Sequence, residues 1–385
     1  MNIRAPEIVT PNNHRYAVAC VIDSSAQEVL NALVLGQSLK AGASDYDSVL
    51  LIYGKCTDLQ KQAFELVWDC VWFVPDIRET LNAPNLDQKF NNLYLLTLLG
   101  YEKILLAEAH LLATQSLVPV FSIKAPALSA NDKSVAWVSN QLIENDALFR
   151  EDGEVLGKTD LVLLEPSDEE WDDVIDYLTS LIEESDNIGF FKDFLIKYFR
   201  GSWYSLSHEY NFRERFVVFG SVRTFGLPAH EQNCRVIGFR EFIKPSDILF
   251  FGDDLSAFRD SLPELLKEVI DRVDGWESFP RLAPCQSAAD RCFALYRCWF
   301  ETFFTLTERF VDNLGTTLFQ IVRPAPTFPL DQLEHMSKQA HEVRENRTKE
   351  AAARPPRRFQ LGREDDDGNR VKVTNNAVVT RVRVI

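Results

Sequence analysis

Several features are scarce in this 385-residue chain. Sixteen Gly and 17 Pro are too few for a collagen-like or linker-dominated protein. No run of about 18 consecutive apolar residues occurs, so the sequence offers no helix able to span a membrane. The opening stretch MNIRAPEIVTPNNHRY lacks the apolar core of a secretory signal. The expectation is an intracellular, cytoplasmic protein. The seven cysteines (Cys20, Cys56, Cys70, Cys234, Cys285, Cys292 and Cys298) include no C-x-x-C pair. An odd, scattered set argues against both a disulfide framework and a zinc site, which leaves reduced thiols acting as small buried hydrophobes. There is no G-x-S-x-G, no P-loop and no H-E-x-x-H, and the six His (His14, His110, His208, His230, His335 and His341) are dispersed. Positive charge is also short. Forty-one Lys/Arg against 57 Asp/Glu give −16, which disfavours nucleic-acid binding.

What is present reads as a globular protein, 46% hydrophobic and 25% charged. The run YAVACVI (16–22) ends at Asp23 as a buried strand would. AQEVLNALVLGQSLKAG then has helical spacing, SVLLIYG is a second strand, TDLQKQAFELVWD an amphipathic helix and CVWFVPD a third strand. This alternation predicts a mostly parallel sheet covered on both faces by helices, an α/β fold. QKFNNLYLLTLL is expected to be a helix, KILLAEAHLL a fourth strand and DLVLLEP a further one. SDEEWDDVIDYLTSLIEES is expected to be a helix capped by Ser167, with acids in its first turn.

After about residue 255 the texture changes. Two long segments with a 3.6-residue period follow, the second rich in aromatics (Phe293, Tyr296, Trp299, Phe300, Phe303 and Phe304), which predicts packing against the body. From Lys338 onward the chain has 12 Lys/Arg and 7 Asp/Glu, so the remainder carries about −21. The last residues, VKVTNNAVVTRVRVI, alternate apolar and polar types around Asn375-Asn376, the pattern of a hairpin. The expected organisation is an extension over 1–15, an α/β domain over 16–255, a helical region over 256–335 and a charged, β-ended tail over 336–385.

The runs ALVLGQSLKAG, SVLLIYG and QKFNNLYLLTLLGYEKILLAEAHLL resemble, in order, the start of glycogenin-like retaining glycosyltransferases of family 8. Weaker likenesses follow in LVLLEPSDEEWDDVIDYL, SDNIGFFKDFL and GFREFIKPSD, so the resemblance covers roughly residues 15–250. It implies the Rossmann-like, type A nucleotide-sugar fold and a manganese ion held by the two Asp of a D-x-D motif and one His. Those positions fall on Ala107, Ala109 and Gly238, none of which can ligate a metal. The family's N-S-G opening would fall on Lys158, Thr159 and Asp160, another departure. The acceptor-Tyr segment is shortened between Tyr210 and Gly220, which leaves self-glucosylation without support. Three positions match: Lys89 and Lys244, as contacts to the nucleotide-sugar phosphates, and Asp186, near the reacting sugar.

Glu108 and His110, two apart and on one strand face, are candidate substitute ligands. Bringing them into the site is expected to need a one-residue register shift that turns apolar neighbours outward, so they are placed at the strand's exposed end instead. Two function classes follow. The first is a catalytically degenerate family 8-like protein serving as a structural subunit of an assembly such as a viral particle. It would associate with other protein subunits through its C-terminal tail, bind nucleotide weakly and need no cofactor. The second is an active glycosyltransferase using a UDP-sugar, with absent or altered metal dependence. The first is preferred because all three ligand positions are lost and because the chain carries a C-terminal extension that catalysis does not need.

Overall fold

The computed structural model describes residues 14–42, 45–130, 138–149, 155–184, 188–213, 234–239, 245–248, 259–260, 262–263, 286–316, 318–322, 371–374 and 377–381. They belong to two units, Met1–Phe328 and Pro329–Ile385.

The first unit opens with β1 (Tyr16–Ile22), α1 (Ala26–Gly42), β2 (Asp47–Tyr53), α2 (Asp58–Val67) and β3 (Cys70–Val74). Each strand is a run of apolar, often β-branched residues, as burial on two faces requires. Thr57 and Gln60 form a capping box that starts α2. A one-turn helix, α3 (Ile77–Thr80), leads to the helix expected in QKFNNLYLLTLL, which is a 3-10 helix over Gln88–Thr97. β4 (Lys103–Ala107) and β5 (Leu111–Ala113) follow, then β6 (Ala127–Ala130), α4 (Asn145–Leu148) and β7 (Gly157–Leu164). α5 (Asp168–Glu184) begins at Ser167, whose Oγ accepts the Glu170 N–H at 2.9 Å, as its sequence predicts. α6 (Phe191–Tyr198), β8 (Tyr204–Ser205), β9 (Phe212–Arg213), β10 (Val236–Gly238) and α7 (Pro245–Ile248) complete the middle of the chain.

Seven strands form one sheet in the order β3-β2-β1-β4-β7-β6-β8. Every pairing is parallel except those of β7, which runs antiparallel to both β4 and β6. The expected α/β class, mostly parallel and flanked by helices, is the one observed. Two apolar cores lie against the sheet. One gathers α1, α2, the β5 region and the late helices around Val18, Leu50, Leu105 and Leu163. The other gathers the 3-10 helix, α5 and α6 around Ala19, Leu51, Leu106 and Val162.

KILLAEAHLL is not one strand. β4 stops at Ala107, the Leu111 N–H closes a turn onto the Glu108 carbonyl, and β5 departs into a second sheet of order β5-β10-β9. Both faces of the main sheet are apolar here, so a Glu and a His cannot continue it, and the chain turns where they begin.

The aromatic segment forms α8 (Gln286–Leu314), followed by α9 (Leu318–Val322). Tyr296, Trp299, Phe300, Phe303, Phe304, Leu306 and Phe310 are buried in the core that contains α1, and α8 packs on α1 and α2. This helix therefore belongs to the α/β body. Cys298, on the opposite face with Arg297 and Glu301, is exposed, contrary to the expectation that each cysteine is a buried hydrophobe. In the second unit β11 (Val371–Thr374) pairs antiparallel with β12 (Ala377–Arg381), the hairpin expected around Asn375-Asn376. Among the described residues no helix is long and apolar enough to cross a membrane.

Candidate functional site

β1 to β4 run parallel, so the residues following them collect along one edge of the sheet. In open α/β sheets this carboxyl edge is where ligands sit, because loops and helix starts converge there. Asp23 follows β1, Tyr53 ends β2, Asp76 follows β3 and Glu108 follows β4. Asp76 accepts the Arg78 backbone N–H at 3.0 Å and takes the Arg78 guanidinium on both oxygens. The Asn91 amide donates to it at 3.3 Å. Burial alone would raise the Asp76 carboxyl, but these donors outweigh it and hold it below its ordinary value. Tyr53 is pushed well up by burial and by the field of Asp23, so it remains a neutral phenol.

The centre of the edge is built by β4, β7 and the 3-10 helix. Ala107 faces Leu161 across the β4–β7 pair, and the Glu108 N–H donates to the Asp160 carbonyl at 2.9 Å, one step further on. Glu108 and Asp160 are thus opposed across antiparallel strands. β7 also departs from its other neighbour here: Leu128 pairs with Val162 but Ser129 with Lys158, leaving residues 159–161 bulged from β6. Bulges re-aim side chains beside functional sites. The turn after Glu108 carries His110, whose Nδ1 lies 3.3 Å from a Glu108 oxygen. Glu108, His110 and Asp160 each offer a ligand atom, and these atoms lie within 4.8 Å of one another.

Two carboxylates facing across strands repel, the more so because Asp160 is only 3% exposed. A cation relieves that repulsion. Lys89 is one: its ammonium is ion-paired with Glu108. Its position follows from Asp87, which caps the 3-10 helix by accepting the Lys89 N–H at 3.1 Å. The other Asp87 oxygen accepts the Phe191 N–H at 3.2 Å and ties the start of α6 to the same place.

Glu108 and His110 are therefore not at an exposed strand end: their side chains are 12% and 14% exposed. No register shift is needed to bring them together. The expected penalty assumed one solvent-facing side, whereas Ile104 and Leu106 enter one core and Leu105 and Ala107 the other. Ala107 and Ala109 are packed in the first core. Gly238 lies opposite Leu111, where a Cβ would come within 3.3 Å of Leu111 Cδ2, and the next N–H, of Phe239, donates to the His110 carbonyl at 3.4 Å. Lys158, Thr159 and Asp160, read from the sequence only as a departure, are buried, and the last joins the cluster. The signal that could have found it is the carboxylate immediately before the apolar run LVLL, in a strand buried along its whole length. Asp186 and Lys244 lie outside the described residues.

No family model matches this chain. It is 26% identical over 242 residues to the uncharacterized protein R707 of Acanthamoeba polyphaga mimivirus, across 60% of this chain and 82% of that one. Among solved structures it is similar to the glycosyltransferase GlyE of Streptococcus pneumoniae, at 16% identity and a TM-score of 0.42, over 60% of this chain and 56% of that one. It is also similar to an active-site mutant of LgtC, at 14% identity and a TM-score of 0.44, over 68% of this chain and 99% of that one. None of these similarities assigns an activity here.

Proposed function

We propose that this protein is a nucleotide-sugar-dependent glycosyltransferase whose cation ligands are Glu108, His110 and Asp160. The carrying observation is their convergence within 4.8 Å at the carboxyl edge of the sheet. Two carboxylates and an imidazole are the donor types expected at Ala107, Ala109 and Gly238. The same chemistry is supplied from the neighbouring turn and the facing strand. Such a set of hard oxygens and one nitrogen suits manganese or a similar divalent ion. When bound there, the ion would offset the charge of a sugar-nucleotide diphosphate and of its leaving group. The chain's own residues then have separate work. Asp87 ties Lys89 to the start of α6, and Arg78 and Asn91 hold Asp76 beside the ends of β2 and β3.

The reading as a catalytically silent assembly subunit has two supports, the lost ligands at Ala107, Ala109 and Gly238 and the C-terminal extension, and the adjacent set weakens the first. Calorimetric titration with uridine diphosphate, with and without manganese, tests the reading. Manganese is expected to raise nucleotide affinity about tenfold, or about 1.4 kcal/mol, in the wild type. The gain should vanish in Glu108→Ala and Asp160→Ala. A wild type indifferent to manganese would refute it.

A further inference from the structure

The Lys89 ammonium and the triad share one carboxylate. Glu108 is at once the ion-pair partner of Lys89 and a member of the set formed with His110 and Asp160. A carboxylate engaged by an ammonium has less charge to offer a second cation, and two cations on neighbouring oxygens repel each other. We propose that Lys89 is a tethered competitor for the cation site, so that cation entry releases its ammonium to the diphosphate of the nucleotide. This deepens the reading above and rests on it.

The geometry makes the exchange local. Backbone capping by Asp87 holds the Lys89 main chain whatever the side chain does, so only the flexible four-carbon stem has to move. The Lys89 side chain is 36% exposed against 12% for Glu108, so the ammonium can swing toward solvent while the carboxylate stays. Linkage fixes the consequence. If cation binding frees Lys89 and nucleotide captures it, cation and nucleotide each strengthen the other by the same factor. Removing the lysine charge must then affect the two ligands in opposite directions.

The experiment is a binding cycle on the full chain. Manganese affinity is read by electron paramagnetic resonance of the free ion, and uridine diphosphate affinity by calorimetry, for wild type, Lys89→Met and Lys89→Arg. For Lys89→Met, manganese without nucleotide should bind about tenfold more tightly than in wild type. Nucleotide should bind more weakly, and the mutual enhancement should be smaller than in wild type, reduced to the share that comes from direct contact of the ion with the diphosphate. Lys89→Arg keeps the charge and should keep wild-type manganese affinity, which controls for misfolding. Manganese binding that is unchanged or weaker in a folded Lys89→Met protein would overturn the competition while leaving the cation site standing. Absence of manganese binding in all three proteins would overturn the cation site itself, and the competition with it.

Discussion

Replacing Phe300 by Ala tests whether α8 is part of the α/β body. Phe300 is fully buried, and its ring lies edge-on to Trp299 at 5.2 Å and tilted against Phe304 at 6.4 Å. It shares a core with α1 and with Val18, Leu50 and Leu105 of the sheet. Truncating a buried Phe to Ala costs about 3–5 kcal/mol, because transfer energy is lost and a cavity remains. Whole domains are stable by only about 5–15 kcal/mol, so the loss is a large share of the total. For a unit of this size it corresponds to a fall in melting temperature on the order of 10 °C. Calorimetry and urea titration followed by far-ultraviolet circular dichroism should both report it, with the main transition displaced as a whole. A change below about 1 kcal/mol, or a small separate transition that alone moves, would refute the claim that α8 and the sheet share one core.

The Asp76–Arg78 pair gives a pH signature. Because the Asp76 carboxyl is held below its ordinary value, its stabilising contribution is present above about pH 4 and lost as pH falls through the folded value. Arg78→Met should therefore cost about 1 kcal/mol or less near pH 7 and progressively less under acid conditions in urea titrations; a cost that grows on acidification would contradict the assignment. Thiol labelling followed by mass spectrometry at about pH 8 should modify Cys298 before Cys20, Cys56, Cys70 and Cys234, because it alone of these five is exposed. Burial pushes Cys70 up to about 11 and Cys234 up to about 12, and raises Cys20 well above its ordinary range. Those three should react only on unfolding, and labelling of Cys20 at the rate of Cys298 would contradict its placement in β1.

The alternation of YAVACVI, SVLLIYG and CVWFVPD with amphipathic segments determined the parallel half of the sheet, because two-sided burial leaves a periodic signal in each element. Ser167 and the acids after it likewise determined the start of α5 locally. The hairpin of residues 371–381 was legible for the same reason, since an alternating pattern around two Asn encodes its own pairing. The packing of α8 on the body was legible too, from its stripe of aromatics, but the reversed strand β7 and the short strands of the second sheet left no such mark. They depend on contacts between distant segments, and two- or three-residue strands have no period to read.

The site divides in the same way. Lys89, Glu108 and His110 could be named from the sequence, but whether Glu108 pointed inward could not. That was decided by β7 lying antiparallel beside β4, which covers both faces of the strand end and sets Asp160 opposite Glu108. A carboxylate from a distant stretch of chain becomes a neighbour only once the sheet order exists. The clustering of Glu108, His110 and Asp160 is therefore a property of tertiary structure alone, created by opposing two carboxylates where water is scarce.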